Sequence, residues 1–194
     1  LLKFSEADGA TDYRRDLNLD TAVATVAYTI DGVRYTREVF SSPVDQVIVI
    51  RLTADKPGKV GFTASMKTPQ KATVTVEQPN SLVMQGVNGG ARRGSSGALK
   101  YQARVAIRTA GGKIESGEGQ ITVQDADSAI LLIAAATSYK SFKDVTGDPE
   151  TPTKDAIAKA SGKPLETLVK DHVAAHQKLF RRVTIDLGTT DAAK

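Results

Sequence analysis

Two histidines are the residues of this sequence whose type and spacing best suit chemistry. His172 and His176 are its only histidines and stand four residues apart, so on a helix they project from one face. Such a pair can hold a zinc ion, but the helical zinc motif also needs a glutamate directly after the first histidine. Val173 occupies that position, and no carboxylate cluster completes a site. We therefore predict no metal site and no cofactor. Both histidines are interpreted as packing or interface residues, with ligand binding as the alternative.

A second candidate for binding lies in the segment Gly86 to Gly97, which contains five glycines and almost nothing to bury. This composition predicts a long surface loop. Its Arg92 and Arg93 are either solvated residues of the loop tip or contacts to a partner domain or an anionic ligand. The segment lacks the Gly-Lys-Ser/Thr sequence and the following helix of a phosphate-binding loop.

No catalytic residue can be assigned from the sequence. The aspartates and glutamates are spread over loops and outward strand positions, so they predict no carboxylate pair for acid–base work. A Ser-His-Asp triad would need its histidine from the C-terminal helix, and no nucleophile elbow is present.

The strands that would position these residues are organised around a hairpin at Asp31-Gly32. This dipeptide favours a type I′ turn, in which both residues have positive φ. Folding back at the turn sets Ile30 opposite Val33 and Tyr28 opposite Tyr35, which makes one face largely apolar. Arg37 is the exception on that face. We expect it at a sheet edge or under the C-terminal helix, paired with a carboxylate.

Further alternating segments predict a mainly β fold, an antiparallel β-sandwich with a C-terminal α-helical extension. The stretch from Gln46 to Leu52 is apolar on both faces and is expected in mid-sheet, as is Ala129 to Tyr139. Turn signals recur about every ten residues between them. Beyond Lys140 the pattern becomes helical from Thr153 to Ala160. A second helix opens at Pro164.

The two helices carry end signals and an apolar stripe. Gly162 is expected at the left-handed C′ position of the first helix and Pro164 at N1 of the second. The second helix bears apolar residues and the histidines on one face, which predicts that it packs back on the sandwich, with the histidines at that seam or at an edge that faces a further domain. Its stripe comprises Leu165, Leu168, Val169, His172, His176, Leu179 and Phe180. Val183, Ile185 and Leu187 then alternate and predict a short strand.

Composition excludes several classes of protein. The chain has 194 residues, 40% of them hydrophobic and 25% charged, which is typical of a globular domain. The formal net charge is +4, but the basic residues are scattered, so we expect no nucleic-acid partner. No apolar run approaches the roughly 20 residues that span a bilayer, so no membrane partner is expected. The absence of cysteine excludes disulfides and thiolate metal sites.

Several sequence blocks, taken in order, carry a resemblance to a known family. They are YRRDLNLDTA at 13–22, RYTREVFSS at 34–42, DQV at 45–47, AAATSY at 134–139, HVA at 172–174 and LFRRV at 179–183. In this order they resemble the N-terminal domain of glycoside hydrolase family 95, the α-L-fucosidases. The resemblance implies a β-sandwich of the supersandwich type shared with galactose mutarotase, joined by helices to a catalytic (α/α)₆ barrel.

Nothing in the chain matches that barrel, so the resemblance assigns no catalytic residue here. It implies a non-catalytic sandwich that packs on the barrel of a parent enzyme, which handles carbohydrate and is secreted or periplasmic. The alternative is a free-standing sandwich that binds carbohydrate or acts as a mutarotase-like epimerase. That epimerase chemistry needs an acid and a base beside the sugar.

We expect residues 1–139 to form the sandwich, lacking its first strands. Residues 140–188 then form a linker with two helices and a short strand, and residues 189–194 a tail.

Overall fold

The computed structural model describes residues 1–4, 9–89, 97–186 and 188. In this part of the chain twelve strands precede two helices. The strands are β1 (Leu2–Lys3), β2 (Thr11–Asn18), β3 (Val23–Ile30), β4 (Val33–Ser42), β5 (Val47–Ala54), β6 (Val60–Ser65), β7 (Ala72–Glu77), β8 (Ser81–Val87), β9 (Lys100–Ala110), β10 (Lys113–Gly117), β11 (Gln120–Ala126) and β12 (Ser128–Thr137). The helices are α1 (Glu150–Ser161) and α2 (Leu165–Phe180).

The strands form two antiparallel sheets, which confirms the expected sandwich with its C-terminal helices. The large sheet has the order β2-β3-β4-β5-β12-β9-β8-β7, and the small sheet has the order β1-β6-β11-β10. Strands β5 and β12 lie side by side in the middle of the large sheet. Their sequences are apolar on both faces because both faces are covered.

The hairpin at Asp31-Gly32 has the predicted register. Ile30 lies opposite Val33 and Tyr28 opposite Tyr35, and the two tyrosine rings stack with centroids 5.5 Å apart. Asp31 and Gly32 have φ of 50° and 67°, the left-handed conformation that a type I′ turn requires.

Arg37 lies elsewhere than the sequence suggested. It sits on β4, the third strand of the large sheet, so it is not at an edge. Its guanidinium carbon lies 4.4 Å from the centroid of the Phe4 ring. No carboxylate of the described residues pairs with it. The prediction of an ion pair is therefore wrong for these residues, because an aromatic face attracts the cation instead.

Two apolar cores make the molecule a three-layer structure. The first core lies between the sheets and includes Leu52, Phe62, Ile107, Ile121 and Leu131. The second core lies between the outer face of the large sheet and the helices, and includes Phe40, Val49, Leu132, Ile157 and Leu168. The helical extension therefore packs back on the sandwich, as its apolar stripe predicts.

The ends of α1 differ from the expected ones. It begins at Glu150 rather than Thr153 because Asp148 caps it, accepting bonds from the backbone N–H groups of Glu150 at 2.8 Å and Thr151 at 3.2 Å. Gly162 has φ of −77°, so the predicted left-handed C′ glycine is wrong. The Arg108 guanidinium donates to the carbonyls of Ser161 and Lys163 at 3.0 and 3.1 Å. These bonds satisfy the helix end without a left-handed residue.

The second helix and the residues after it also depart in part from the expectation. Pro164 is the N-cap rather than N1. Leu179 and Phe180 are 62% and 45% exposed, because the last turn of α2 lies beside the β2–β3 turn instead of over the sheet. Residues 183–186 form no strand, so the strand predicted from Val183 to Leu187 is wrong over these residues. No strand of the described residues pairs with them, and an extended segment without a partner strand forms no sheet.

The Gly86 to Gly97 segment begins as sheet rather than loop. Gly86 and Val87 are the last residues of β8. A Cβ on Gly86 would lie 2.5 Å from the backbone carbonyl oxygen of Lys71 and 2.6 Å from the Tyr101 hydroxyl oxygen, so the close approach of these two groups requires glycine there. No helix of the described chain is both long and apolar enough to cross a membrane.

Candidate functional site: the histidine seam

The four residues singled out by sequence have different outcomes. Arg92 and Arg93 lie outside the described residues. His172 and His176 lie on α2, where it meets the turn between β2 and β3. We call this contact the histidine seam; it comprises His172, His176 and Phe180 on the helix and residues 19–22 on the turn.

His172 occupies the buried part of the seam. It is 3% exposed, and its ring lies over the ring of Phe40, with centroids 4.8 Å apart. Its Nε2 is 3.0 Å from the carbonyl oxygen of Thr21 and 3.3 Å from that of Ala22. Carbonyl oxygens only accept hydrogen bonds, so Nε2 carries the proton and donates. Its Nδ1 is buried without a partner among the described residues.

His176 and the end of α2 complete the seam. The Nε2 atom of His176 donates to the carbonyl oxygen of Leu19 at 2.7 Å, and its ring stacks on Phe180 with centroids 5.1 Å apart. Arg181 donates two hydrogen bonds of 2.7 Å to the carboxylate of Asp20, and Gln177 donates a third at 2.8 Å. The Arg181 hydrogen bond lowers the pKa of Asp20 below its usual value, so this carboxylate stays ionised.

These contacts leave the histidines little chemistry to perform. Both Nε2 atoms are committed as donors to backbone carbonyls, and the Nδ1 of His172 is closed off from solvent. Within the described ranges no group of three or more histidine, cysteine, aspartate or glutamate residues could hold a metal ion. The geometry favours histidines that lock α2 to the β2–β3 turn.

An ionic cluster beside α2 is the arrangement nearest to a carboxylate pair. Lys163 Nζ lies 2.8 Å from Asp45 Oδ1 and 2.8 Å from Asp171 Oδ2. The Lys163 ammonium group thus stands between the two carboxylates. Its hydrogen bond lowers the pKa of Asp171, and Asp45 is 1% exposed. Lys163 binds both carboxylates and the burial of Asp45 keeps a substrate from reaching it, so we interpret the cluster as structural.

Sequence reasoning missed Asp20, Asp45 and Lys163. Asp45 lies in the turn after β4, behind the sequence Ser41-Ser42-Pro43. From sequence alone it looks like an ordinary turn aspartate, because its partner Lys163 is distant in the chain. Ser42 Oγ donates to Asp45 Oδ2 at 3.0 Å, and a serine three residues before an aspartate in a turn was the available signal.

Comparison with known proteins identifies the family of this chain. The family model of the glycosyl hydrolase family 65 N-terminal domain matches residues 1–142. The chain belongs to this family of glycoside hydrolase N-terminal domains. The matched residues contain all twelve strands and none of the helices.

Two known proteins to which the chain is similar are much longer than it is. The chain is 30% identical over 198 residues to "Alpha-L-fucosidase 2" of Arabidopsis thaliana, with 91% of this chain and 24% of that protein aligned. A solved structure named "Putative kojibiose phosphorylase from human microbiome" superposes with a TM-score of 0.55 at 11% identity, covering 89% of this chain and 25% of that one. At that identity the superposition shows a shared fold. The chain spans about a quarter of the length of each relative.

Proposed function

We propose that this chain is the non-catalytic N-terminal sandwich domain of an α-L-fucosidase-like enzyme of glycoside hydrolase family 95. The observation that carries the proposal is the alignment with "Alpha-L-fucosidase 2", which takes in 91% of this chain and only 24% of that protein. The sequence blocks at 13–22 and 34–42, which resemble family 95, lie on β2, β4 and the turn after β2. The fold in this proposal is the galactose mutarotase-like supersandwich.

The described side chains support a non-catalytic role. Glycoside hydrolysis needs two carboxyl groups facing one sugar, about 5 to 9.5 Å apart depending on stereochemistry. Here Lys163 stands between Asp45 and Asp171, and the burial of Asp45 keeps any sugar away from it. The domain accordingly acts as a support that packs on a catalytic (α/α)₆ barrel, while carbohydrate binds to the barrel part of a secreted or periplasmic parent enzyme.

A free-standing epimerase finds less support in the structure. That reaction requires a histidine that can exchange a proton with the sugar. His172 is 3% exposed and His176 donates to a backbone carbonyl. His172 is therefore closed to a bound sugar, and the Nε2 atom of His176 is already engaged.

The experiment compares this 194-residue chain with the protein encoded by its complete reading frame, using an aryl α-L-fucoside. We expect release of the aryl group by the complete protein and none by the chain alone. Turnover by the chain that a single carboxylate substitution within it abolishes would overturn the non-catalytic role. A complete protein that hydrolyses no fucoside would overturn the fucosidase assignment.

A further inference from the structure

A groove of about 480 Å³ runs beside α2 over the outer face of the large sheet. The apolar residues of its helix wall, the wall residues, are Leu165, Val169 and Val173, and the charged Glu166 and Lys170 of α2 line the same side. Phe40 lines its floor, and the Glu38–Arg51 ion pair, 3.1 Å long, lines the sheet side. The groove therefore has apolar side chains in its interior and charged side chains on both the helix side and the sheet side, and the apolar face of an amphipathic helix can complement such a groove.

The apolar surface of helix α2 is covered fully along one stripe and only in part along the next. Leu168 and His172 face the sheet and are 0% and 3% exposed. The three wall residues recur every four positions on a neighbouring stripe and remain partly exposed. Phe180 continues this stripe seven residues after Val173 and is 45% exposed. A stripe with a spacing of four is the ridge that packs against a second helix.

The apolar surface extends beyond the groove. Leu179, Val183 and Ile185 follow the stripe at the end of α2 and are 62%, 80% and 82% exposed. Exposed apolar side chains that are grouped in this way mark an interaction surface rather than ordinary surface scatter. The surface starts in the groove and follows the chain towards its C-terminal end.

The comparisons indicate what covers this surface. The family model is that of an N-terminal domain, and about three quarters of each relative lies outside the match. A domain of this kind meets the remainder of its enzyme on part of its surface, and an uncovered apolar groove suits such a contact. The exposed Val183 and Ile185, which follow α2 in the chain, are available for the same contact.

We propose that a helix from the catalytic part of the parent enzyme packs beside α2 and fills this groove with its apolar side chains. This inference rests on the proposed function, because it takes the partner from the same polypeptide. It goes further in assigning the contact to the flank of α2 formed by the wall residues, and to no other face of the domain.

Single-cysteine labelling tests the assignment, since the chain has no cysteine of its own. Val173→Cys places a thiol in the groove wall. Ala174→Cys is the matched control, because Ala174 is the next residue of α2 and is exposed. Each variant is made in the 194-residue chain and in the protein of the complete reading frame, with any cysteine outside this chain replaced by serine. The rate of reaction with a maleimide is measured in all four proteins.

We expect the thiol of the Val173→Cys variant to react about tenfold or more slowly in the complete protein than in the 194-residue chain, because a packed helix must open before the thiol is reached. The thiol of the Ala174→Cys variant should react at the same rate in both. Equal rates for Val173→Cys in the two contexts, in a complete protein that hydrolyses fucosides, would overturn the groove assignment while leaving the proposed function intact. A reading frame that ends with this chain would overturn both.

A second copy of the chain is the competing occupant, and the same assay detects it. In the 194-residue Val173→Cys variant, protection of the thiol that increases with protein concentration, together with a doubled mass in light scattering, would overturn the proposal in favour of a dimer.

Val173→Asp gives a second readout. It should leave the melting temperature of the 194-residue chain unchanged and lower that of the complete protein, because a charge would be buried only when the groove is filled.

Discussion

Lys163 and Asp45 join the helical layer to the sheet through a pair with one buried member. The Lys163 ammonium nitrogen lies 2.8 Å from the Asp45 carboxylate, whose side chain is fully buried. Lys163 belongs to the connection between α1 and α2, and Asp45 to the turn between β4 and β5. Asp45 also accepts a bond from the Ser42 hydroxyl at 3.0 Å. The pair thus fixes the position of α2, and with it the histidine seam and the groove.

Replacing Asp45 by alanine should destabilise the chain by about 3 kcal/mol, because it removes one partner of a buried charged pair and opens the turn. Urea unfolding at neutral pH measures the change. Asp186→Ala is the control, since Asp186 is exposed and its carboxylate accepts a bond from the nearby backbone of Gly188. If the two variants unfolded at the same urea concentration, the pair would not hold the layers together.

The two leucines of α2 should differ strongly in their contribution to stability. Leu168 is 0% exposed in the core under the helices, whereas Leu179 is 62% exposed. Leu168→Ala should cost about 2–5 kcal/mol, the usual range for a buried leucine. Leu179→Ala should change the free energy of unfolding of this chain by less than about 0.5 kcal/mol. Thermal melts of both variants provide the comparison, and equal losses would mean that α2 packs differently.

The sequence predicted the sheet well because its signals are local. The Asp31-Gly32 turn sets the register of β3 and β4 by itself. Apolar character on both faces of β5 places this strand in the middle of the sheet without knowledge of the rest. The period change at Pro164 likewise locates the start of α2 to within one residue.

The misplaced features depend on contacts between residues distant in sequence. Arg108 replaces the expected glycine cap of α1 from more than fifty positions away. Phe4 takes the place of the carboxylate expected for Arg37. The strand expected after α2 needed a sheet edge, and its own alternation cannot show whether one is available. The seam histidines were predicted as packing residues, but their carbonyl partners in the β2–β3 turn were not foreseeable.

Zinc should have no effect on the histidine seam. Both Nε2 atoms donate to backbone carbonyls, and a metal would have to displace these bonds. We expect the melting temperature to stay unchanged when zinc is added at a few equivalents. His172→Ala should by contrast lower the free energy of unfolding by about 2 kcal/mol, through the lost packing on Phe40 and the unpaired carbonyl of Thr21. A rise in melting temperature with zinc that His172→Ala removes would instead establish a metal site.

The ion pair between Glu77 and Arg104 should make the chain sensitive to acid. Arg104 is 4% exposed, and its hydrogen bond is the main cause that lowers the pKa of Glu77 below the ordinary value of 4.5. A carboxylate whose pKa is lowered by folding contributes stability above its unfolded pKa and loses it as the pH falls through the folded pKa. Stability should therefore decline below about pH 4.5.

Glu77→Gln tests this dependence because glutamine keeps the shape of the side chain and does not titrate. The variant should be less stable than the parent chain at pH 7, where the ion pair is intact, and the difference should shrink as the pH falls towards 3. Urea unfolding at pH 7, 5, 4 and 3 follows the difference. Glu118→Gln is the control, because no described residue pairs with Glu118. Parallel pH curves for Glu77→Gln and the parent chain would show that the Glu77–Arg104 pair contributes nothing to the acid sensitivity.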